Sequence, residues 1–200
     1  VIASQKGALG KQFSQLDDSH RGFIPRQRVF FVASAAPTGR INISPKDAAS
    51  LRVIDAGRIA YRDLTGSGSE ASAHLLADGR LTIMFCAFDG PPQIMRLYGR
   101  GLSQPRGSDG YSHLLASVFD GAEPMAARQI VRLDIDLVQT CCGYGVPLFD
   151  FKCERESLAR WAEAKGDAGL EAYRRDNNAL SMDGLPTGLF DEGAVRGQPS

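Results

Sequence analysis

The stretch Arg80–Phe88, Arg-Leu-Thr-Ile-Met-Phe-Cys-Ala-Phe, constrains the fold more than any other part of this chain. It is nearly all apolar and lies between two turn signals, Asp78-Gly79 and Asp89-Gly90-Pro91-Pro92. A short apolar run bounded in this way reads as a strand buried on both faces. Gln93–Leu102 follows at once and alternates, so the next strand returns after a turn. The same signals recur elsewhere. Val29–Ala36 and Ile41–Ser44 flank Pro37-Thr38-Gly39 and predict a hairpin, Arg58–Asp63 predicts another strand, and Ile130–Thr140 a long one. Helical spacing is seen in Ser69–Ala77, Asp109–Phe119, Glu154–Lys165 (ending at Gly166) and Ala168–Asn177, with a short helix allowed over Leu9–Leu16. The strands are mostly joined by turns, not by crossover helices. That predicts a mainly β, α+β fold: an antiparallel barrel with helices added at its ends.

Length and charge narrow the classes. Two hundred residues suffice for one domain, which buries roughly 70% of the unfolded chain's surface. Lys plus Arg and Asp plus Glu both number 23, so a general nucleic-acid binder is not expected. No apolar run is long enough to span a membrane. The opening Val1-Ile2-Ala3-Ser4 lacks the charged-then-apolar pattern of a secretory leader. Cys86, Cys141, Cys142 and Cys153 form no CxxC pair and no zinc pattern, and a bond between adjacent Cys141 and Cys142 would be strained. All four are expected to be reduced, Cys86 as an inert core thiol, in a cytoplasmic protein. No base accompanies a cysteine to make it a nucleophile, and the three histidines lack metal-type spacing.

Two segments about twenty residues apart stand out as possible walls of an anion site. In Gly39-Arg40-Ile41-Asn42-Ile43-Ser44-Pro45-Lys46, alternation puts Ile41 and Ile43 toward the core. Asn42, Ser44 and Lys46 then share the opposite face. Pro45, which donates no N–H, ends the ladder there. The pattern suits a phosphate partner, but spacing alone favours a plain solvated face, because such faces are routine. Thr65-Gly66-Ser67-Gly68-Ser69-Glu70 offers hydroxyls and flexible backbone N–H groups before a helix, as an anion site does. Ser67 and Glu70 also fit a capping box. His74, one helical turn after Glu70, is expected on the surface as its partner. Arg96 alternates with apolar neighbours, and Gln139–Pro147 joins two cysteines, two glycines and Tyr144 in an irregular stretch.

The chain resembles the pyridoxamine 5′-phosphate oxidase-related FMN-binding family. The matching stretches are Phe30–Ala35, Gly39–Lys46, Asp63–Gly68, Met84–Phe88, Arg96–Gly99, Gly143–Pro147 and Ser181–Gly188. No single stretch is diagnostic; their order and number carry the likeness over about residues 10–190. The resemblance implies an FMN-binding split β-barrel over 26–150, preceded by an N-terminal segment, 1–25, and followed by a C-terminal helical extension and tail, 151–200. It implies a homodimer with FMN at the subunit interface.

By the same resemblance, Arg40, Asn42, Ile43 and Ser44 would lie along the flavin, with Lys46 on its phosphate. Asp63, Thr65, Ser67 and Ser69 would form the second wall. Arg96 would face the interface, and Tyr144 and the segment 178–185 would line the ring. Ser69-Glu70-Ala71 stands where the oxidases proper carry Ser-Arg-Lys, which leaves Lys46 and Arg40 to balance the phosphate. The segment that binds pyridoxal in those oxidases has no clear counterpart. The expected activity is therefore an FMN-dependent oxidoreductase other than a vitamin B6 oxidase. The alternative is a non-catalytic flavin-binding, storage or sensor protein on the same fold.

Overall fold

The computed structural model describes residues 10–190. Eight strands form one sheet: β1 Lys11–Phe13, β2 Val29–Ser34, β3 Asn42–Asp47, β4 Leu51–Val53, β5 Arg58–Leu64, β6 Arg80–Cys86, β7 Ile94–Pro105 and β8 Ala127–Cys141. Four helices accompany them: α1 Asp18–Phe23, α2 Glu70–Ala77, α3 Asp109–Val118 and α4 Ser157–Asn178. The order is β3-β2-β6-β7-β8-β5-β4, with β1 added to β8, and every pairing is antiparallel. The sheet curls into the half-barrel that the turn-linked strands predict. No helix among the described residues is long and apolar enough to cross a membrane.

Alternation explains the core. On β2, Phe30 and Val32 point inward and are fully buried. On β5, Ile59 and Tyr61 do the same, while the intervening Ala60 packs outward with Tyr111, Leu114, Phe119 and Ile130 beneath α3. Ile83, Phe85, Met95, Leu97, Val131 and Leu133 complete the inner core. Burying each large side chain stabilises the fold by about 1.5–3 kcal/mol. At the β7–β8 bulge, a Cβ on Gly99 would lie 2.0 Å from the Asp134 carbonyl oxygen, so only glycine fits.

Several local expectations change. Lys11–Phe13 is a strand and the first helix begins at Asp18, capped by Asp17, whose carboxylate accepts the His20 N–H at 3.0 Å. Leu9 lies outside the described residues. The two C-terminal helices do separate at Gly166 as expected: Ser157–Asn178 is helical on either side of that residue, whose φ of 63° and ψ of 174° are not helical, and the first of them starts at Ser157 and not at Glu154. The short strands β1 and β4 carried too few residues for a readable period.

The largest correction concerns β3. Ile41 and Ile43 are 73% and 66% exposed, not core residues. Register gives the reason. Asn42, Ser44 and Lys46 pair with Ser34, Val32 and Phe30, the buried positions of β2. Ile43 and Pro45 pair with Ala33 and Phe31, which face outward. The polar face of this edge strand is thus its inner face, and the isoleucines stand outside.

Candidate functional site

The site is built around Asp63. It lies on the inner face of β5, two residues beyond Tyr61, and is 1% exposed. A buried carboxylate requires partners, and three converge on it. Lys46 Nζ donates to Oδ1 at 2.6 Å. Arg128 Nε and Gln129 Nε2 donate to Oδ2 at 2.8 and 2.7 Å. Gln129 arrives through register, as the cross-strand partner of Asp63 on β8. Burial alone would raise the Asp63 carboxyl, but Arg128 and Lys46 outweigh it and hold it well below the usual carboxylate range.

This cluster braces the turn between β5 and α2. Arg128 Nη1 donates to the Gly68 carbonyl at 2.8 Å and to Asn178 Oδ1 at 2.9 Å, and Asn178 Nδ2 reaches the Gly66 carbonyl at 3.0 Å. Thr65 is buried; its hydroxyl donates to the Ala126 carbonyl and accepts from Arg174 Nε, both at 2.8 Å. Ser69 occupies the N-cap position of α2, but its hydroxyl pairs with that of Ser72 at 2.8 Å and does not cap the helix. The turn's carbonyls are therefore held from behind. Its N–H groups are not: among the described residues, those of Gly66, Ser67, Gly68 and Ser69 donate to no protein acceptor. Ser67 is exposed, and a Cβ on Gly66 would meet nothing within 4 Å. Consecutive uncommitted N–H groups at a helix N-terminus suit an anion.

The capping box expected from Ser67 and Glu70 is not formed. Glu70 instead accepts the Met182 N–H through both carboxylate oxygens, at 3.0 and 3.1 Å. Nor is His74 a surface partner of Glu70. It is 1% exposed, and its Nδ1 lies 3.0 Å from the Ser34 hydroxyl. α2 rests on β2, β6 and β7, which covers that side of the helix.

The other residues singled out from the sequence fall in different places. Arg40 is exposed and bound at both its backbone N–H and its guanidinium by Asp183, with the N–H contact at 2.8 Å. That contact, followed by the guanidinium, keeps the Asp183 carboxyl below its ordinary value. Asn42 and Ser44 are half-buried beside Lys46. Arg96 lies on the outer face of β7, its Nη1 3.4 Å from Cys141 Sγ. Tyr144 is 84% exposed in the segment between β8 and α4. Neither Arg96 nor Tyr144 bonds to the Asp63 cluster. All four cysteines are free, and burial pushes the Cys86 thiol up. Among the described residues, no group of three or more His, Cys, Asp or Glu is placed to hold a metal ion.

Sequence reasoning missed Arg128, Gln129 and Arg174; Asp183 fell within the segment 178–185 that it marked, but its pairing with Arg40 was not foreseen. Arg128-Gln129 opens a strand whose following residues are apolar, and a polar pair in that position was the one available signal.

An antiparallel half-barrel with an anion-type turn after its fifth strand defines a split-barrel protein. Comparison with known proteins agrees. Residues 16–142 match the family described as pyridoxamine 5′-phosphate oxidase. A curated relative, the pyridoxamine 5′-phosphate oxidase family protein ustO of Aspergillus flavus, is 38% identical over 191 residues, covering 87% of this chain and 76% of that protein. The chain belongs to the pyridoxamine 5′-phosphate oxidase family. Two solved structures show the same fold. HupZ of Group A Streptococcus superposes with a TM-score of 0.51 at 18% identity, over 62% of this chain and 98% of that one. A Lactobacillus delbrueckii protein described as a pyridoxamine 5′-phosphate oxidase superposes with a TM-score of 0.50 at 14% identity, over 66% and 98%.

Proposed function

We propose that this protein binds FMN and acts as an FMN-dependent oxidoreductase, as a homodimer in the cytoplasm. The observation that carries the reading is the run of uncommitted N–H groups at Gly66–Ser69, fixed from behind by Arg128, Thr65 and Asn178. It suits a phosphate monoester, with the Ser67 hydroxyl as an added donor. Lys46 and Arg40 are the cations of the β2–β3 side. Each is already engaged by a carboxylate, Asp63 and Asp183, so their charge is only partly available. Glu70 engages the Met182 N–H with its carboxylate, whose Oε1 still lies 3.5 Å from a Cβ built on Gly68, so its charge stays beside the turn and opposes an anion there. Bound FMN would supply the electron chemistry; the chain would bind, orient and shield it.

The dimer is supported by the outer face. Exposed Ile41 and Ile43 adjoin the outward side of β2, and Arg96 lies on the same outer side of the sheet. Apolar side chains so exposed on an edge strand suit burial against a second copy. Four free cysteines suit a reducing compartment.

The test is mass spectrometry of the small molecule released from purified protein on denaturation, followed by flavin reduction with NADPH or NADH. FMN at about one per chain is the expected result. Protein that releases no flavin and takes none up from an excess of FMN overturns the reading. Flavin that is bound but never reoxidised by a substrate favours the storage or sensor alternative.

A further inference from the structure

At the end of the barrel near α1, a cavity of about 570 Å³ opens between the turn after α1, the start of β2 and the β3–β4 connection. Its volume is that of a small-molecule site. Phe30, Phe85, Ile24 and Leu51 form an apolar floor, each 7% exposed or less. Gln27 lines the cavity and is 6% exposed. Its Nε2 donates to the Phe23 carbonyl at 3.0 Å, while its amide oxygen accepts from no described residue.

The lining is also charged in one sense. Arg21, Arg28 and Arg52 contribute to it, against Glu154 alone. Among the described residues, none of the three arginines forms a salt bridge. Arg52 is turned to the Ala49 and Leu51 carbonyls at 2.9 and 2.8 Å. Arg21 and Arg28 have no side-chain hydrogen bond to a described residue. Arg28 stacks over Phe151 at 4.8 Å; Phe151 lines the adjoining cavity with Phe88 and Phe149, so Arg28 stands on the rim between the two. Phe151 and Glu154 belong to the irregular segment between β8 and α4. That segment is pinned where the Phe149 N–H donates to the Phe88 carbonyl at 2.9 Å and the two rings meet at 5.4 Å.

We propose that this cavity is a ligand site separate from the flavin site, and that it takes a small carboxylate with an apolar body. The ring or acyl chain packs on Phe30 and Phe85. The carboxylate meets Arg21 and Arg28 at the mouth, where a guanidinium edge matches its two oxygens. The Gln27 amide oxygen repels an anion, which places the charged end outward and the apolar end inward. The proposal does not depend on flavin binding.

The test is isothermal titration of the purified protein with 2-naphthoate and with its neutral isostere 2-naphthamide. We expect saturable binding of the carboxylate and at least about tenfold weaker binding of the amide, the size of one lost charge-assisted contact. Arg28→Glu and Arg21→Glu weaken 2-naphthoate by a similar factor. Ala49→Trp, at an exposed lining position, abolishes binding by filling the cavity while Tm is retained. If a charge reversal fails to fold, Arg28→Gln replaces it, with the same direction of effect. No saturable binding to the wild type, equal binding of the amide, or unchanged affinity in folded Ala49→Trp each overturns the proposal.

Discussion

Lys46 Nζ lies 2.6 Å from Asp63 Oδ1, and Arg128 Nε holds the other oxygen of the same carboxylate at 2.8 Å. One buried anion thus joins β3, β5 and β8, and through Arg128 it fixes the Gly68 carbonyl of the turn.

Asp63→Asn leaves two cations without their counter-charge, one of them, Arg128, buried. Breaking a buried pair by removing one partner costs about 3–5 kcal/mol. Urea unfolding of the variant at pH 7 should show that loss. The pH dependence has a definite sign. The folded carboxyl lies below its unfolded value, so its contribution is complete above about pH 4–5 and fades as pH falls through and below the ordinary carboxylate range. Wild type should lose this increment on acidification, and Asp63→Asn should not.

Lys46→Ala removes the cation that our reading assigns to the phosphate, while Arg128 still pairs with Asp63. FMN affinity should fall by about tenfold or more, in line with one lost charge-assisted contact, with riboflavin affinity little changed. Fluorescence titration with the two flavins measures both. Full FMN affinity in the variant excludes Lys46 from the phosphate.

Asp183→Asn frees much of the Arg40 charge, since the two are paired. FMN should bind several-fold more tightly and riboflavin no differently. The cost to stability should be small, because the Arg40 side chain is 68% exposed and the Asn side-chain oxygen can still accept the Arg40 N–H. The same titration, with a thermal melt, checks both parts.

Ile43→Asp puts a charge on the exposed outer side of β3, outside the monomer's core. Size-exclusion chromatography with light scattering should show the variant as a monomer, with a melting temperature lowered only by loss of the dimer. An unchanged dimer removes this face from the interface.

Gly99→Ala drives a Cβ to 2.0 Å from the Asp134 carbonyl oxygen, backbone that cannot move aside cheaply. A loss of about 1–3 kcal/mol is expected, measured by denaturant unfolding. Gly145, with nothing within 4 Å and no positive φ, has no such clash.

The sequence by itself determined the kind of sheet. Apolar runs separated by turn residues favour antiparallel pairing, and the strands at 29–34, 58–64, 80–86, 94–105 and 127–141 fall on the apolar or alternating runs. It also marked the Gly66–Ser69 turn, though glycine and hydroxyl residues before a helix fit a cap as readily as an anion site. Only the tertiary structure decided which face of β3 is inner. Alternation separates Ile41 and Ile43 from Asn42, Ser44 and Lys46, but register with β2 decides which set faces in. Only it brought Arg128, Arg174 and Asp183 to residues 65, 109 and 143 positions away, Asp63, Thr65 and Arg40. Pairing at such distances leaves no local periodicity to read, because it is set by the order of strands and the path of the C-terminal helix.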